Sequence, residues 1–154
     1  MIKKILTYPE DKEILTLKSK EADINAEETQ VTIQDLKDTL HNSTGVGISA
    51  IQIGIPLQIC IIHINGQDKV LINPKITKTR GEVTYREGCL SAPGVYTEVK
   101  RFQKVWIDYL DETGKQRELA EGGLCSVIAQ HELDHFNGWC EVFTEVDKEN
   151  KEEE

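Results

Sequence analysis

The sequence predicts an α+β fold: antiparallel β-sheets packed around a buried C-terminal metal-binding helix, with another helix near the N-terminus. Three observations predict it. Short β-branched apolar runs between residues 57 and 110 are joined by connections too short for parallel crossovers. An amphipathic run precedes them, and a run that is apolar almost all round comes after them. Within that later run lies His131-Glu132-Leu133-Asp134-His135, two histidines four residues apart with a carboxylate directly after the first.

Composition sets the limits. A chain of 154 residues, 38% hydrophobic and 29% charged, is expected to form one domain with a real core. We expect a single catalytic domain over 1–146 and an acidic, disordered tail over 147–154. The formal net charge of −9, with no basic stripe, argues against direct nucleic-acid binding. No apolar run is long enough to span a membrane. The start, Met1-Ile2-Lys3-Lys4, leads into no apolar signal region, so a cytoplasmic location is expected. The four cysteines are then expected as free thiols. Cys60, Cys125 and Cys140 read as buried structural residues.

In chain order, residues 1–24 show no clear period and read as an irregular arm. Asn25 is expected to cap a helix, with Glu28 in a capping-box position. Ile33, Leu36 and Leu40 form its apolar stripe, and Asn42 and Gly45 end it. Gly45-Val46-Gly47 lacks the third glycine and the preceding strand of a dinucleotide fingerprint. Residues 57–64 read as a buried strand, Asn65-Gly66 as a hairpin turn, and Val70, Leu71 and Ile72 as its return. Asn73-Pro74 is expected to interrupt that strand. Further strands are expected over 82–86, 95–101 and 103–110, with a Gly- and Pro-marked loop over 87–94. Asp111 to Gly114 turns the chain back, and a helix over 124–137 stops at Gly138.

The chemistry centres on that helix. Four residues advance an α-helix by ~400° and ~6 Å, so His131 and His135 face one way, one turn apart. That spacing suits two ligands of one transition-metal ion, with Glu132 placed beside the ion as a general base. A catalytic site of this kind takes three protein ligands. His41 and His63 lie in a helix end and a strand and read as structural or exposed, whereas Cys89 sits in a glycine-flanked loop that can be shaped around an ion. Cys89, His131 and His135 are therefore the expected ligands. No fourth ligand is evident, which argues against a closed structural site.

Three segments, GVGISAIQ (45–52), EGCLS (87–91) and HELDH (131–135), resemble in order the three motifs of the peptide deformylase family. The likeness extends to ILTYP (5–9), LINPKI (71–76) and YLDETGK (109–115). It implies hydrolysis of the formyl group from N-terminal formyl-methionine of nascent polypeptides, with release of formate. It also implies one divalent ion, Fe2+ natively and replaceable by Zn2+, Ni2+ or Co2+, on Cys89, His131 and His135. Glu132 would be the general base and acid. The Gln52 amide and the Leu90 backbone N–H would hydrogen-bond the developing oxyanion. Gly47 would line the substrate cleft, and Val46, Tyr85, Leu124, Val127, Ile128 and the His131 ring would form the methionine pocket. Glu87 and Arg101 would pair and brace the Cys89 loop.

The chain also departs from the family pattern. Ile48-Ser49-Ala50 stands where Leu-Ala-Ala is usual, a change expected to affect packing, not chemistry. Tyr96 stands where many bacterial members carry an arginine near the substrate backbone, so peptide preference is expected to differ. The basic C-terminal helix that docks some bacterial forms on the ribosome is not seen, and the length resembles short forms encoded by bacteriophages. A small H-E-x-x-H zinc endopeptidase is the competing expectation, but it leaves Gln52 and Cys89 without a role.

Overall fold

Alternate residues of one strand are buried on both faces of its sheet, and this sets the layering. In the computed structural model, which describes residues 1–153, β2 (Ile59–Ile64) turns Ile59 and Ile61 toward one helix. Its Cys60 and Ile62 face another. Five strands, β1 (Gly47–Ser49), β2, β3 (Gln67–Arg80), β6 (Lys104–Leu110) and β7 (Gln116–Gly122), form one antiparallel sheet in the order β1-β2-β3-β6-β7. The hairpin of β4 (Val83–Cys89) and β5 (Ala92–Arg101) is a separate two-stranded sheet. Helix α2 (Glu27–His41) covers one face of the large sheet through Ile33, Leu36 and Leu40. Helix α3 (Gly123–His135) covers the other through Cys125, Ile128 and Ala129. Burying each large aliphatic side chain stabilises the fold by ~1.5–3 kcal/mol. The α+β architecture expected from the sequence is the one observed.

The elements differ from expectation in several places. Asn25 does not cap α2: Ala26 holds that position in an extended conformation, with no side-chain cap. The Asp23 carboxylate accepts the Asn25 N–H at 2.9 Å, and the resulting turn delays the helix start. Asn73-Pro74 does not end β3. The strand continues through a register shift between Ile72 and Lys75, which accommodates a residue with no N–H to donate. Asn73 sits there at φ 51° and exchanges side-chain bonds with the Ala22 backbone at 2.8 and 2.9 Å. The 87–94 loop is narrower than expected, because β4 and β5 are joined only by Leu90 and Ser91. Strands β1 and β7 were not resolved as separate elements by the sequence patterns.

The expected disordered tail is the largest correction. Helix α4 (Glu141–Glu152) runs through it, and only Glu154 lies outside the described residues. Val142, Phe143 and Val146 share its buried face, with Ala92 of β5 and Leu15 of the short helix α1 (Lys12–Leu15) in the same cluster. The acidic residues lie on the opposite, solvated face; read as a charge run, they hid the apolar stripe. No helix among the described residues is long and apolar enough to cross a membrane.

The N-terminal arm crosses the molecule. The Leu6 N–H donates to the Gln52 carbonyl and the Tyr8 N–H to the Ser91 carbonyl, both at 2.8 Å. The Tyr8 ring stacks on Phe143 at 4.4 Å between centroids, and its hydroxyl reaches the Asp147 carboxylate at 3.0 Å. The arm therefore ties two loops to α4.

Candidate metal centre

Helix α3 is buried along most of its length, including its polar residues His131, Glu132 and His135. Its apolar side chains carry it between the large sheet and the β4–β5 hairpin, and the histidines go with it. The two rings lie 5.1 Å apart between centroids in an edge-on arrangement. Cys89, the last residue of β4, brings its Sγ to 3.5 Å from His135 Nε2.

The His131 ring is oriented from behind. Its Nδ1 lies 2.9 Å from Glu87 Oε1, so an Nδ1–H donated there leaves Nε2 free as a ligand. Glu87 is itself held by two bonds from Arg101, at 2.8 and 2.9 Å, and Arg101 also reaches the Asp134 carboxylate at 2.5 Å. Glu87 and Arg101 are both buried, so their charges are neutralised by pairing and not by water. Burial would raise the Glu87 carboxyl, but the bonds from Arg101 and His131 hold it below its ordinary value.

Glu132 faces β1. Its carboxylate packs so closely on Gly47 that a Cβ there would stand 2.5 Å from Oε2. A side chain at this position would push the Glu132 carboxylate aside, so Gly47 both lines the cleft and makes room for the acid. The Ser49 hydroxyl donates to the Glu132 backbone carbonyl at 2.8 Å and lies 3.2 Å from its Oε1. Burial pushes the Glu132 carboxyl up to about 7. The substitution at Ser49 thus touches the acid directly, contrary to the expectation of a packing change.

Gln52 ends the same segment. Its Oε1 accepts the Ser49 N–H at 2.9 Å, which fixes the amide so that Nε2 donates to Ser91 Oγ at 3.0 Å and lies 3.6 Å from Cys89 Sγ. Gln52, Glu132, Cys89, Leu90 and His131 border a cleft of about 650 Å³. Val46, Gly47, Tyr85, Leu124, Val127 and Ile128 border it too, as does Glu87, while Arg101 lies behind. Tyr96 stands at the rim with the Arg86 guanidinium 5.6 Å over its ring. His41 and His63 lie away from this site and share the Asp68 carboxylate, at 2.7 and 2.6 Å.

One residue read as inert belongs here. Cys140, expected to be a buried structural cysteine, joins Cys89, His131 and His135 in a group whose donor atoms all lie within 4.8 Å of one another. A fourth side chain with donor chemistry thus stands beside the three expected ligands, where none was evident in the sequence. A hydrogen bond with Cys89 draws the Cys140 thiol below its ordinary value. Its position five residues after His135 was the available signal, obscured by the uncertain path of the chain beyond Gly138.

The donor set fits a transition-metal ion. A tetrahedral ion with metal–sulfur bonds of ~2.3 Å and metal–nitrogen bonds of ~2.0 Å separates such donors by ~3.5 Å. The Cys89–His135 distance equals that separation. A helix-borne pair of histidines, an adjacent buried acid and a loop cysteine in an antiparallel α+β fold define a small metal-binding hydrolase. The polypeptide deformylase family model matches residues 2–152. A peptide deformylase of Aquifex aeolicus is 40% identical over 144 residues, covering 90% of this chain and 84% of that protein. The structure of a peptide deformylase from Legionella pneumophila superposes with a TM-score of 0.86 at 39% identity, covering 91% of this chain and 83% of that one. One from Synechococcus elongatus, in complex with actinonin, does so at 0.83 and 36%, covering 93% and 84%. The chain belongs to the peptide deformylase family.

Proposed function

We propose that the protein removes the formyl group from N-terminal formyl-methionine of nascent polypeptides and releases formate. The observation that carries this reading is the convergence of the Glu132 carboxylate, the Gln52 amide and Cys89 on one cleft. Cys89, His131 and His135 would hold one divalent ion, Fe2+ natively, with Zn2+, Ni2+ or Co2+ as substitutes. Bound there, the ion supplies Lewis-acid polarisation of the formyl carbonyl and acidification of water.

The protein's own groups do the rest. Glu132, buried and raised toward neutrality, takes a proton from the attacking water and returns it to the departing amine. The Gln52 Nε2–H and the Leu90 backbone N–H donate to the oxygen on which charge develops. Gln52 suits this role because Ser49 pins its carbonyl end, so the amide is aimed before substrate arrives. Val46, Tyr85, Leu124, Val127 and Ile128 take the methionine side chain, and Gly47 presents its backbone to the peptide. Glu87 and Arg101 fix the His131 ring and the hairpin that carries Cys89. That the Synechococcus relative was solved in complex with actinonin supports a ligand-binding role for the fold. The catalytic unit includes α4, whose apolar face packs against β5 and α1, and its setting is the cytoplasm.

Formate release from formyl-Met-Ala-Ser by anaerobically iron-loaded protein tests the reading. Glu132→Gln is expected to lower the rate ~10²–10⁴-fold while metal binding persists. Cleavage of an internal peptide bond without formate release would overturn it in favour of an endopeptidase.

A further inference from the structure

We propose that His41, His63 and Asp68 form a second metal site, apart from the cleft, that takes a divalent transition-metal ion such as zinc. The site is independent of deformylation. One ligand atom from each of the three residues lies within 4.8 Å of the other two. His41 Nε2 stands 2.7 Å from one Asp68 oxygen and His63 Nδ1 stands 2.6 Å from the other, so both rings aim a nitrogen at a single carboxylate.

Regular elements bring the three together. His63 and Asp68 are register partners across the β2–β3 hairpin, and side chains directly opposite share one face of the sheet. The Asn65-Gly66 turn, at φ 55° and 76°, fixes that register. His41 is the last residue of α2, where the final carbonyls carry partial negative charge and favour a cation. Its ring meets that of His63 edge-on, 6.2 Å apart between centroids.

The donor chemistry selects the ion. Two imidazoles and a carboxylate suit zinc, nickel, cobalt or copper, whereas magnesium and calcium take oxygen ligands. Among the described residues Asp68 pairs with these two rings and with no lysine or arginine. Burial would raise its carboxyl, but the bonds from His63 and His41 hold it below its ordinary value, so it is ionised at neutral pH. Ligands on a tetrahedral ion stand ~3.3 Å apart. The distances of 2.7 and 2.6 Å are hydrogen-bond separations, and the two rings, neither fully buried, swing out by ~0.6 Å to admit an ion. Each neutral ring then carries its proton on the nitrogen that faces away from the ion. The site also reaches the cleft through the backbone. The His63 N–H donates to the Val46 carbonyl at 2.7 Å, and Val46 and Gly47 border the cleft. An ion on His63 therefore clamps the end of α2 to β2, the strand on which β1 is built.

The test adds zinc to untagged wild-type protein in which the signals of His131 and His135 no longer respond to it, while histidine-ring NMR signals are followed. Those of His41 and His63 are expected to move together and to saturate at one further zinc per chain, with His131 and His135 unchanged. Static His41 and His63 signals, or movement without saturation, would overturn the proposal. Magnesium at the same concentration is expected to move neither ring, and an equal response to magnesium would overturn the assignment to a transition metal. His63→Gln and Asp68→Asn, both checked for folding by circular dichroism, are each expected to retain one zinc per chain fewer than wild type after dialysis. Equal zinc content in wild type and both variants would also overturn the proposal. The wild-type titration does not depend on either variant folding.

Discussion

Glu87 shows how one side chain sets the properties of another. It accepts from Arg101 on both oxygens and, through Oε1, from His131, so the ring has one tautomer and one orientation. Replacing it by glutamine keeps the volume but turns one oxygen into an NH2 that faces a donor of Arg101 or His131, and removes the charge that pairs with Arg101. Glu87→Gln is expected to weaken zinc binding ~10–100-fold in a chelator competition, and unchanged affinity would remove its orienting role. At this scale much of the candidate site was legible in the sequence. His131, Glu132 and His135 are fixed by spacing on a single helix, so no tertiary knowledge was needed to group them. Cys89 was reached by weighing the possible third ligands, and Gln52 through motif order. Ser49 and Cys140 were not, because a hydroxyl on a buried acid and a thiol beneath a metal site depend on where distant chain returns.

Among the elements, turns were easier to read than ends. Asn65-Gly66 adopts φ values of 55° and 76°, the left-handed pair a two-residue hairpin requires. Asp111 organises another turn, accepting the Thr113 hydroxyl and N–H at 2.6 and 2.9 Å, the Lys115 N–H at 3.0 Å and Arg117 Nε at 2.9 Å. Those bonds hold its carboxyl well below the ordinary value of 3.8. Because the folded value is depressed, its stabilisation is complete above that ordinary value and is lost as pH falls through the folded one. Asp111→Asn is therefore expected to lower Tm at neutral pH, and the gap from wild type should narrow as pH falls from about 5 to about 2. A gap independent of pH would show that the turn does not depend on the ionised carboxylate. The misread elements share a cause. The α2 start was displaced by a competing turn at Asp23, β3 absorbed its proline in a bulge, and α4 needed β5 to give its apolar stripe a partner. None of these can be derived from local propensity.

For the whole molecule, the layers arise from alternation in β2 and β3 and from the unusual burial of α3. The path of the two chain ends did not emerge from any such pattern. Phe143 is buried, stacked on Tyr8 and 5.8 Å from the His135 ring. Phe143→Ala is expected to cost about 3–5 kcal/mol in urea unfolding, and a smaller loss at Tyr8 than at Phe143 should separate the stack from the core packing beneath it. The clasp also has a consequence for synthesis. Tyr8 and Asp147 are 139 residues apart in the chain. During translation the arm, the sheet and the histidine helix all leave the ribosome before the segment that holds the arm down. The stack on Phe143 and the bond to Asp147 therefore cannot form until α4 has been synthesised, so closure of the arm is a late, long-range event in folding.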